Sequence, residues 1–594
     1  MAASDDYRSK RQKWFEQRQG SERLFIRIGN ARLALGIIEA VLAYFVFGRG
    51  QIPGFYLALP VICFIFLAVW HSRVMRGRTL ADRALSFYHR GLARVEDKWV
   101  ESGSSGERFR DASHVYADDL DLFGKGSLFQ LVAETRTAAA ETMLANWLLA
   151  PATIAEASER QSAVRELCSG LDLREYFSLL GPDVQAEVSV EALSRWGDAR
   201  IVEFPAALRP VCAVLAVISL VLLVGFFAGV TPVFPLVGVI AIDLVIGRVM
   251  RSKVQAVLEG LETVGHGLSI LSLAFARLES ESFESPLLAR LRAALLPKGA
   301  PASRRVAKLA RLVDWHDSAD HALIRALRPL LFWREQIAIG VEGWRRESGA
   351  HVASWLRALA EFEALSSFAS LSYERPHWCF PELIGEPAPN LEARGMRHPL
   401  LPEERSVGND VLLGQDVRLL IVSGSNMSGK STFLRAVGLN NALAWAGAPV
   451  CARSMRVSRL YLGASIRVTD SLLDNRSRFF AEIVRIKQIV DVAKNCPGAL
   501  FLLDELLSGT NSHDRQIGAA AIVRRLVDFG AIGVITTHDL ALANIETELN
   551  ANAINAHFDD QIVDGEMRFD YRLRPGIVTH SNALELMRSV GLDV

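Results

Sequence analysis

Residues 424–431, Gly-Ser-Asn-Met-Ser-Gly-Lys-Ser, place two glycines, a lysine and a hydroxyl at the spacing G-x-x-x-x-G-K-[ST]. Glycines let successive backbone N–H groups turn inward around a phosphate, and a helix starting at the lysine adds the positive end of its dipole. On this pattern Gly424, Ser425, Asn426, Met427, Ser428, Gly429, Lys430, Ser431 and Thr432 hold the phosphates of ATP. Lys430 is expected to reach the β- and γ-phosphates, and the Ser431 hydroxyl to coordinate Mg²⁺. The partner chemistry stands 74 residues after Lys430, where an apolar run, "ALFLLDE", ends in Asp504 and Glu505. Hydrolysis needs two carboxylates, because the metal offsets phosphate charge while a separate base aims and deprotonates the attacking water. Asp504 is assigned to Mg²⁺ through water and Glu505 to the base. A further run, "AIGVITTHD", delivers His538 at its end, where a side chain can sense the γ-phosphate. Lys430, Glu505 and His538 form the predicted catalytic set.

These groups need a β–α series to bring them together. "VRLLIVSG" (417–424) reads as a short buried strand and "TFLRAVGLNNALAWA" (432–446) as the helix after it. The implied fold is an α/β P-loop NTPase at 377–594. Leu507-Ser508-Gly509 looks like the start of an ABC-transporter signature, but that signature precedes the Asp-Glu strand and here it follows. The likeness to a transporter is coincidental.

The order of motifs resembles the MutS family of mismatch-repair ATPases. "SGSNMSGKSTFLR" is similar to that family's phosphate loop, including Asn426 and Met427, and "LLDELLSGTNSHD" to its Asp-Glu strand and the loop beyond, with Gly509, Thr510 and Asp514. "RVSRLYLGASIRVTDSLLDNRSRFFAEI" resembles a segment in which a serine, here Ser477, precedes Phe479 and Glu482. In that family the serine works on nucleotide held by the opposite subunit, so the resemblance implies a homodimer with composite sites. It also carries Asn409 in "VGNDVLL" and His557 in "NAHFD" into the nucleotide site. Residues 116–152 and 363–383 are similar to the start of the family's helical core and the return from it, and 571–592 to a closing helix. Ser406 stands where many relatives have an aromatic that stacks on adenine. No counterpart of the mismatch-reading domain precedes residue 115, and Phe87-Tyr88-His89 lacks the glutamate of its Phe-x-Glu.

Apolar runs set the rest of the organisation. "LALGIIEAVLAYFVFG" (33–48) and "GQIPGFYLALPVICFIFLAVW" (50–70) read as one transmembrane hairpin, and the 33 uncharged residues from Pro210 to Ile242, broken at "GVTPVFP", as a second with spans near 209–229 and 232–248. Eight Lys/Arg in 1–32 and further basic residues after each hairpin place the N-terminus, the helical core and the ATPase on the cytoplasmic side of the cell membrane. Glu39 and Asp243 fall inside spans, as transport groups or as snorkelling side chains. The expected domains are a basic tail (1–32), hairpin one (33–72), an all-α lever core in two parts (73–204 and 251–376) around hairpin two (205–250), and the ATPase.

Lysine plus arginine and aspartate plus glutamate both total 66, so no global basic field advertises nucleic acid. Arg304, Arg305, Lys308 and Arg311 either meet a phosphate backbone or make a solvated helix face, and no aromatics are interleaved among them. Six scattered cysteines without metal-ligand spacing read as reduced and structural. The expected function is a membrane-anchored MutS-type ATPase that moves helical levers and binds DNA. A transport or membrane-remodelling ATPase with no DNA role is the alternative.

Overall fold

The structure, a computed structural model, describes residues 2–50, 53–180, 190–262, 267–318, 328, 330–385, 388–425, 427–467, 478–507, 511–538, 552–563 and 566–578. The chain divides into two compact units. Unit one is Met1–Val132, Cys168–Gly181 and Ser370–Val594; unit two is Ala133–Leu167 and Pro182–Ala369. The stretch 73–132, expected to open the lever core, therefore belongs with the ATPase sequence.

Unit one holds ten strands among the described residues: β1 (Glu382–Ile384), β2 (Leu391–Met396), β3 (Asn409–Leu413), β4 (Leu419–Ser423), β5 (Ser454–Ser458), β6 (Tyr461–Ser465), β7 (Ala499–Asp504), β8 (Ile532–Thr537), β9 (Ala553–Val563) and β10 (Glu566–Pro575). The larger sheet runs β10-β9-β4-β8-β7-β6, parallel from β9 to β6, with β10 antiparallel at its edge. Continuous apolar runs suit this, because a parallel strand is covered on both faces; every residue of β4 and β8 is buried. Leu419, Ile421, Phe501 and Ile535 pack with residues of the helices Arg478–Asn495 and Ser512–Asp528. A smaller sheet, β1-β5-β2-β3, presents Asn409 at the start of β3. The beginning of the segment expected as a closing helix is strand instead: 571–575 lies in β10, whose polar–apolar alternation suits an edge strand.

The basic tail is not a tail. Residues 2–43 form one helix, α1 (Ala2–Ala43), which packs along α2 (Ala58–Val95). Tyr7 is buried against Gly91, where an added Cβ would come within 2.5 Å of the Tyr7 ring. The Tyr7 hydroxyl donates to Glu374 at 3.0 Å, and Arg94 forms a two-pronged bond to the same carboxylate, 2.6 Å on each arm. Trp14 donates to Glu175 at 2.6 Å, and Lys10 pairs with Asp172.

Unit two is helical. Trp344 and Trp355 fill its core with Phe275, and the Trp344 indole donates to the Arg305 carbonyl at 2.7 Å. Glu363 accepts from the backbone N–H groups of Arg136 and Thr137, each at 2.9 Å, anchoring the start of the helix Ala138–Leu149. Of the basic stretch considered for DNA, Arg305 is buried and donates to the carbonyls of Lys298, Ala300 and Glu347, while Lys308 stands 3.8 Å from Glu347. Arg305 is thus a structural brace.

Three helices among the described residues are long and apolar enough to cross a membrane, by length and composition: Ala3–Gly48, Gly54–Val95 and Leu208–Phe227. The fourth expected span falls on the helix Phe234–Glu262, which is outside that set and carries Asp243, Arg248 and Arg251 near its start.

Candidate functional site

The loop 424–429 leaves the C-terminal end of β4 and turns into the helix α3 (Lys430–Ala446). Gly424 has φ 154°, and a Cβ there would lie 2.8 Å from the Ser428 Oγ and 3.1 Å from the Phe558 carbonyl oxygen. No other residue fits that turn without a shift. Among the described residues, the Ser425 and Ser428 hydroxyls are buried with no hydrogen-bond partner. Buried polar groups are normally satisfied. Two orphaned hydroxyls beside a helix N-terminus fit a loop that takes an anion. Lys430 is buried, and its ammonium donates to the carbonyls of Gly424 (2.8 Å) and Ser425 (2.9 Å). Burial pushes its pKa below the usual lysine value, against the pull of Glu505 and Asp504.

Asp504 and Glu505 stand at the C-terminal end of β7, next to β8 in the sheet. The Ser431 Oγ donates to Asp504 Oδ2 at 2.5 Å, and Thr536, paired with Asp504 in register, donates to its other oxygen. The two predicted Mg²⁺ ligands are therefore side by side, with one carboxylate oxygen oriented from β8. Such a hydroxyl–carboxylate pair is a hard oxygen donor set that suits Mg²⁺. Glu505 Oε1 lies 3.6 Å from the Lys430 ammonium and 3.5 Å from His538 Nδ1. The predicted catalytic set converges on this one carboxylate.

Glu505 and Leu507 have φ of 46° and 57°, backbone conformations costly for side chains of their size. The turn is held by Glu482, 3% exposed, which accepts from the Leu507 N–H at 2.6 Å, and by the Glu505 N–H donating to Thr536. The sequence reading included Glu482 and Thr536 in motifs without giving them these roles. Register pairing across β7 and β8 is the signal that exposes Thr536.

A cavity of about 630 Å³ opens beside the loop and is lined by Ser425, Met427, Gly429, Lys430, Ser431, Thr432 and Glu505 on one side. Ser406, Asn409, Phe558, Phe569 and Tyr571 line it elsewhere. Asn409 acts on the backbone, donating to the Tyr571 carbonyl (3.0 Å) and accepting from the Leu573 N–H (2.8 Å). His557 is not in the lining. Its ring meets the Gly576 carbonyl at 3.0 Å, because its alternation along β9 turns Phe558 to the cavity in its place. Asn426 and Ser477 lie outside the described residues.

In the cavity wall, His398 is almost wholly buried and accepts from the Leu400 N–H at 3.2 Å, which needs an unprotonated Nδ1. Burial first, and Arg435 second, push its pKa down to about 4. In the unfolded chain the ring takes its proton near 6.5, so stability present above that pH is lost as pH falls toward 4, by about 3 kcal/mol in all. The expected result is that His398→Gln shows a shallower loss of denaturation midpoint between pH 7 and pH 4.5 than wild type. Parallel pH profiles would contradict the burial argument.

Residues 420–593 match MutS domain V. By this match the chain carries a domain of the MutS family. Over 279 residues it is 29% identical to the DNA mismatch repair protein MutS 2 of Halobacterium salinarum, covering 46% of this chain and 31% of that one. It is 33% identical over 212 residues to the endonuclease MutS2 of Thermomicrobium roseum (35% and 26%), and 32% over 259 residues to the DNA mismatch repair protein MutS of Chlorobium phaeobacteroides (41% and 28%). The chain spans about a third or less of the length of these relatives. The MutS domain V match begins in β4 and includes the phosphate-type loop, Asp504, Glu505 and His538.

Proposed function

We propose that the chain is a membrane-anchored, MutS-type ATPase that binds and hydrolyses ATP at sites shared across a homodimer. The observation that carries this is the convergence of Lys430, Ser431, Asp504, Glu505 and His538 at the ends of three neighbouring parallel strands. Glu505 is placed to orient and deprotonate a water, with His538 beside it to hold the carboxylate and sense the γ-phosphate. Lys430 would leave the loop carbonyls for the phosphates, and Ser431 with Asp504 would hold Mg²⁺. Bound there, the metal offsets the charge of the triphosphate. Ser477, carried over from the family resemblance, would act on the partner's nucleotide.

The helix Trp333–Glu374 starts in unit two and ends in unit one, and it would serve as the lever. The apolar helices Ala3–Gly48 and Gly54–Val95, and Leu208–Phe227 together with the apolar start of Phe234–Glu262, would anchor the protein in the cell membrane as two hairpins, leaving the rest cytoplasmic. Side chains such as Phe47, Phe66, Val221 and Phe227 stand exposed along them, a surface suited to lipid. DNA is the proposed polymer partner, supported by the mismatch-repair names of the relatives.

The test is Mg²⁺-dependent ATP turnover of the detergent-purified protein, measured alone, with DNA and with lipid nanodiscs. Turnover that needs Mg²⁺ and rises with DNA is the expected result. A rate indifferent to DNA but changed by lipid would replace the DNA role with the transport or remodelling reading. Absence of turnover and of nucleotide binding would remove the ATPase.

A further inference from the structure

The last turn of α2 is joined to two adjacent residues far along the chain. Arg94 pairs with Glu374, and Arg375, itself buried, donates to the Arg94 carbonyl at 2.6 Å and to Asp97. Asp97 stands just past the end of α2 with φ 56°, a left-handed position that helix ends usually give to glycine. Its side chain explains the aspartate. One carboxylate oxygen accepts from Arg375, and the other accepts from the Glu403 N–H at 3.3 Å. Glu403 belongs to the rim of the cavity beside the phosphate-type loop, where Leu401, Glu404, Arg405 and Ser406 line the wall. A turn closes this rim, because the Arg405 and Ser406 N–H groups both donate to the Pro402 carbonyl at 3.0 Å. The Glu403 carboxylate meets His377 at 2.9 Å and accepts from Arg397 at 3.3 Å. The rim is thus fastened on one side within the ATPase sequence and on the other to the end of α2.

We propose that Asp97 is a positioning residue for nucleotide binding, tying the 401–406 rim of the cavity to the end of α2. This rests on the nucleotide reading of the site and adds a link to it from the apolar hairpin. Asp97 does not line the cavity, so it acts through the Glu403 N–H and the turn around it. One unbroken helix, Ala58–Val95, runs from the apolar stretch to this junction, and a rigid element of that kind carries a displacement along its length. Linkage is reciprocal: a nucleotide that fixes the rim also steadies the end of α2. The hairpin thereby bears on ATP affinity without touching Lys430, Glu505 or His538.

The experiment compares Mg-ATP affinity, KM and kcat of the full-length protein in detergent for wild type, Asp97→Gly and Asp97→Asn. Glycine suits the left-handed backbone, so Asp97→Gly removes both side-chain bonds while α2 keeps its end. It is expected to weaken ATP binding and raise KM by about 2- to 30-fold, the span over which residues outside a site modulate it. Its kcat at saturating ATP should stay within about twofold, since ground-state and transition-state binding suffer alike. Asp97→Asn also tolerates the left-handed backbone, and its amide can accept from only one of the two donors. It should raise KM less, again with kcat kept. Hydrogen exchange gives a second readout: saturating Mg-ATP should slow amide exchange at residues 88–98 of wild type and leave that segment of Asp97→Gly unchanged. Unaltered ATP affinity in the folded Asp97→Gly protein would overturn the proposal, because Asp97 would then only brace Arg375. A fall in kcat with KM unchanged would overturn it as well. If wild type binds no Mg-ATP, the nucleotide reading itself falls.

Discussion

Glu505→Gln is expected to lower ATP turnover by about 100- to 10,000-fold, the span that loss of a general base produces. The amide keeps the shape of the side chain and cannot take a proton from water. It also removes a negative charge 3.6 Å from Lys430, so ATP affinity should hold or improve. Asp504 and its bonds from Ser431 and Thr536 are untouched, so the site that would hold Mg²⁺ keeps its form. The expected observation is a protein that retains ATP through a spin column and yields almost no phosphate in a single-turnover assay. Phosphate release within threefold of wild type would show that another group activates the water.

The largest stability effect is expected at Glu374. Its carboxylate is buried with Arg94 and receives the Tyr7 hydroxyl as well. Glu374→Ala takes the carboxylate away from a guanidinium whose side chain is only 8% exposed, and breaking such a pair from one side costs about 3–5 kcal/mol. Replacing both partners with apolar residues, Arg94→Met with Glu374→Leu, should recover much of that loss, since no buried charge is left behind. Tyr7→Phe removes only one hydrogen bond and should cost about 1–2 kcal/mol. Urea midpoints of the purified protein and its variants measure all three. A Glu374→Ala midpoint equal to that of Tyr7→Phe would mean that Arg94 finds water when Glu374 goes, and that the buried pair adds little to the stability of unit one.

Much of the candidate site could be read from short local patterns. Phosphate chemistry demands glycines, a lysine and a hydroxyl within eight residues, and a metal with a base demands adjacent carboxylates at a strand end; both patterns survive in a linear string. Glu505 lies between Lys430 and His538, 3.6 Å and 3.5 Å away. The resemblance put His557 in the nucleotide site, but Phe558 lines the cavity instead, because a motif names residue types whereas alternation along β9 decides which neighbour faces the cavity. Tyr571 escaped the sequence reading because a shift in the pairing of β10 with β9 leaves no mark in composition. The basic N-terminal segment looked like a solvated tail because its partners, Glu374, Asp172 and Glu175, lie 161 or more residues away.

By itself the amino-acid order determined the chemistry available to this protein, its parallel β–α plan and the runs that are, by length and composition, apolar enough to cross a membrane, since each follows from neighbours a few residues apart. Tertiary structure alone decided which ring shares a cavity with the loop, which carboxylate sits buried beneath α1, and that Arg305 braces a core and does not meet a phosphate. The reason is physical. Burial and pairing are set by contacts between segments hundreds of residues apart, and a one-residue change of register exchanges the side chains that face each other.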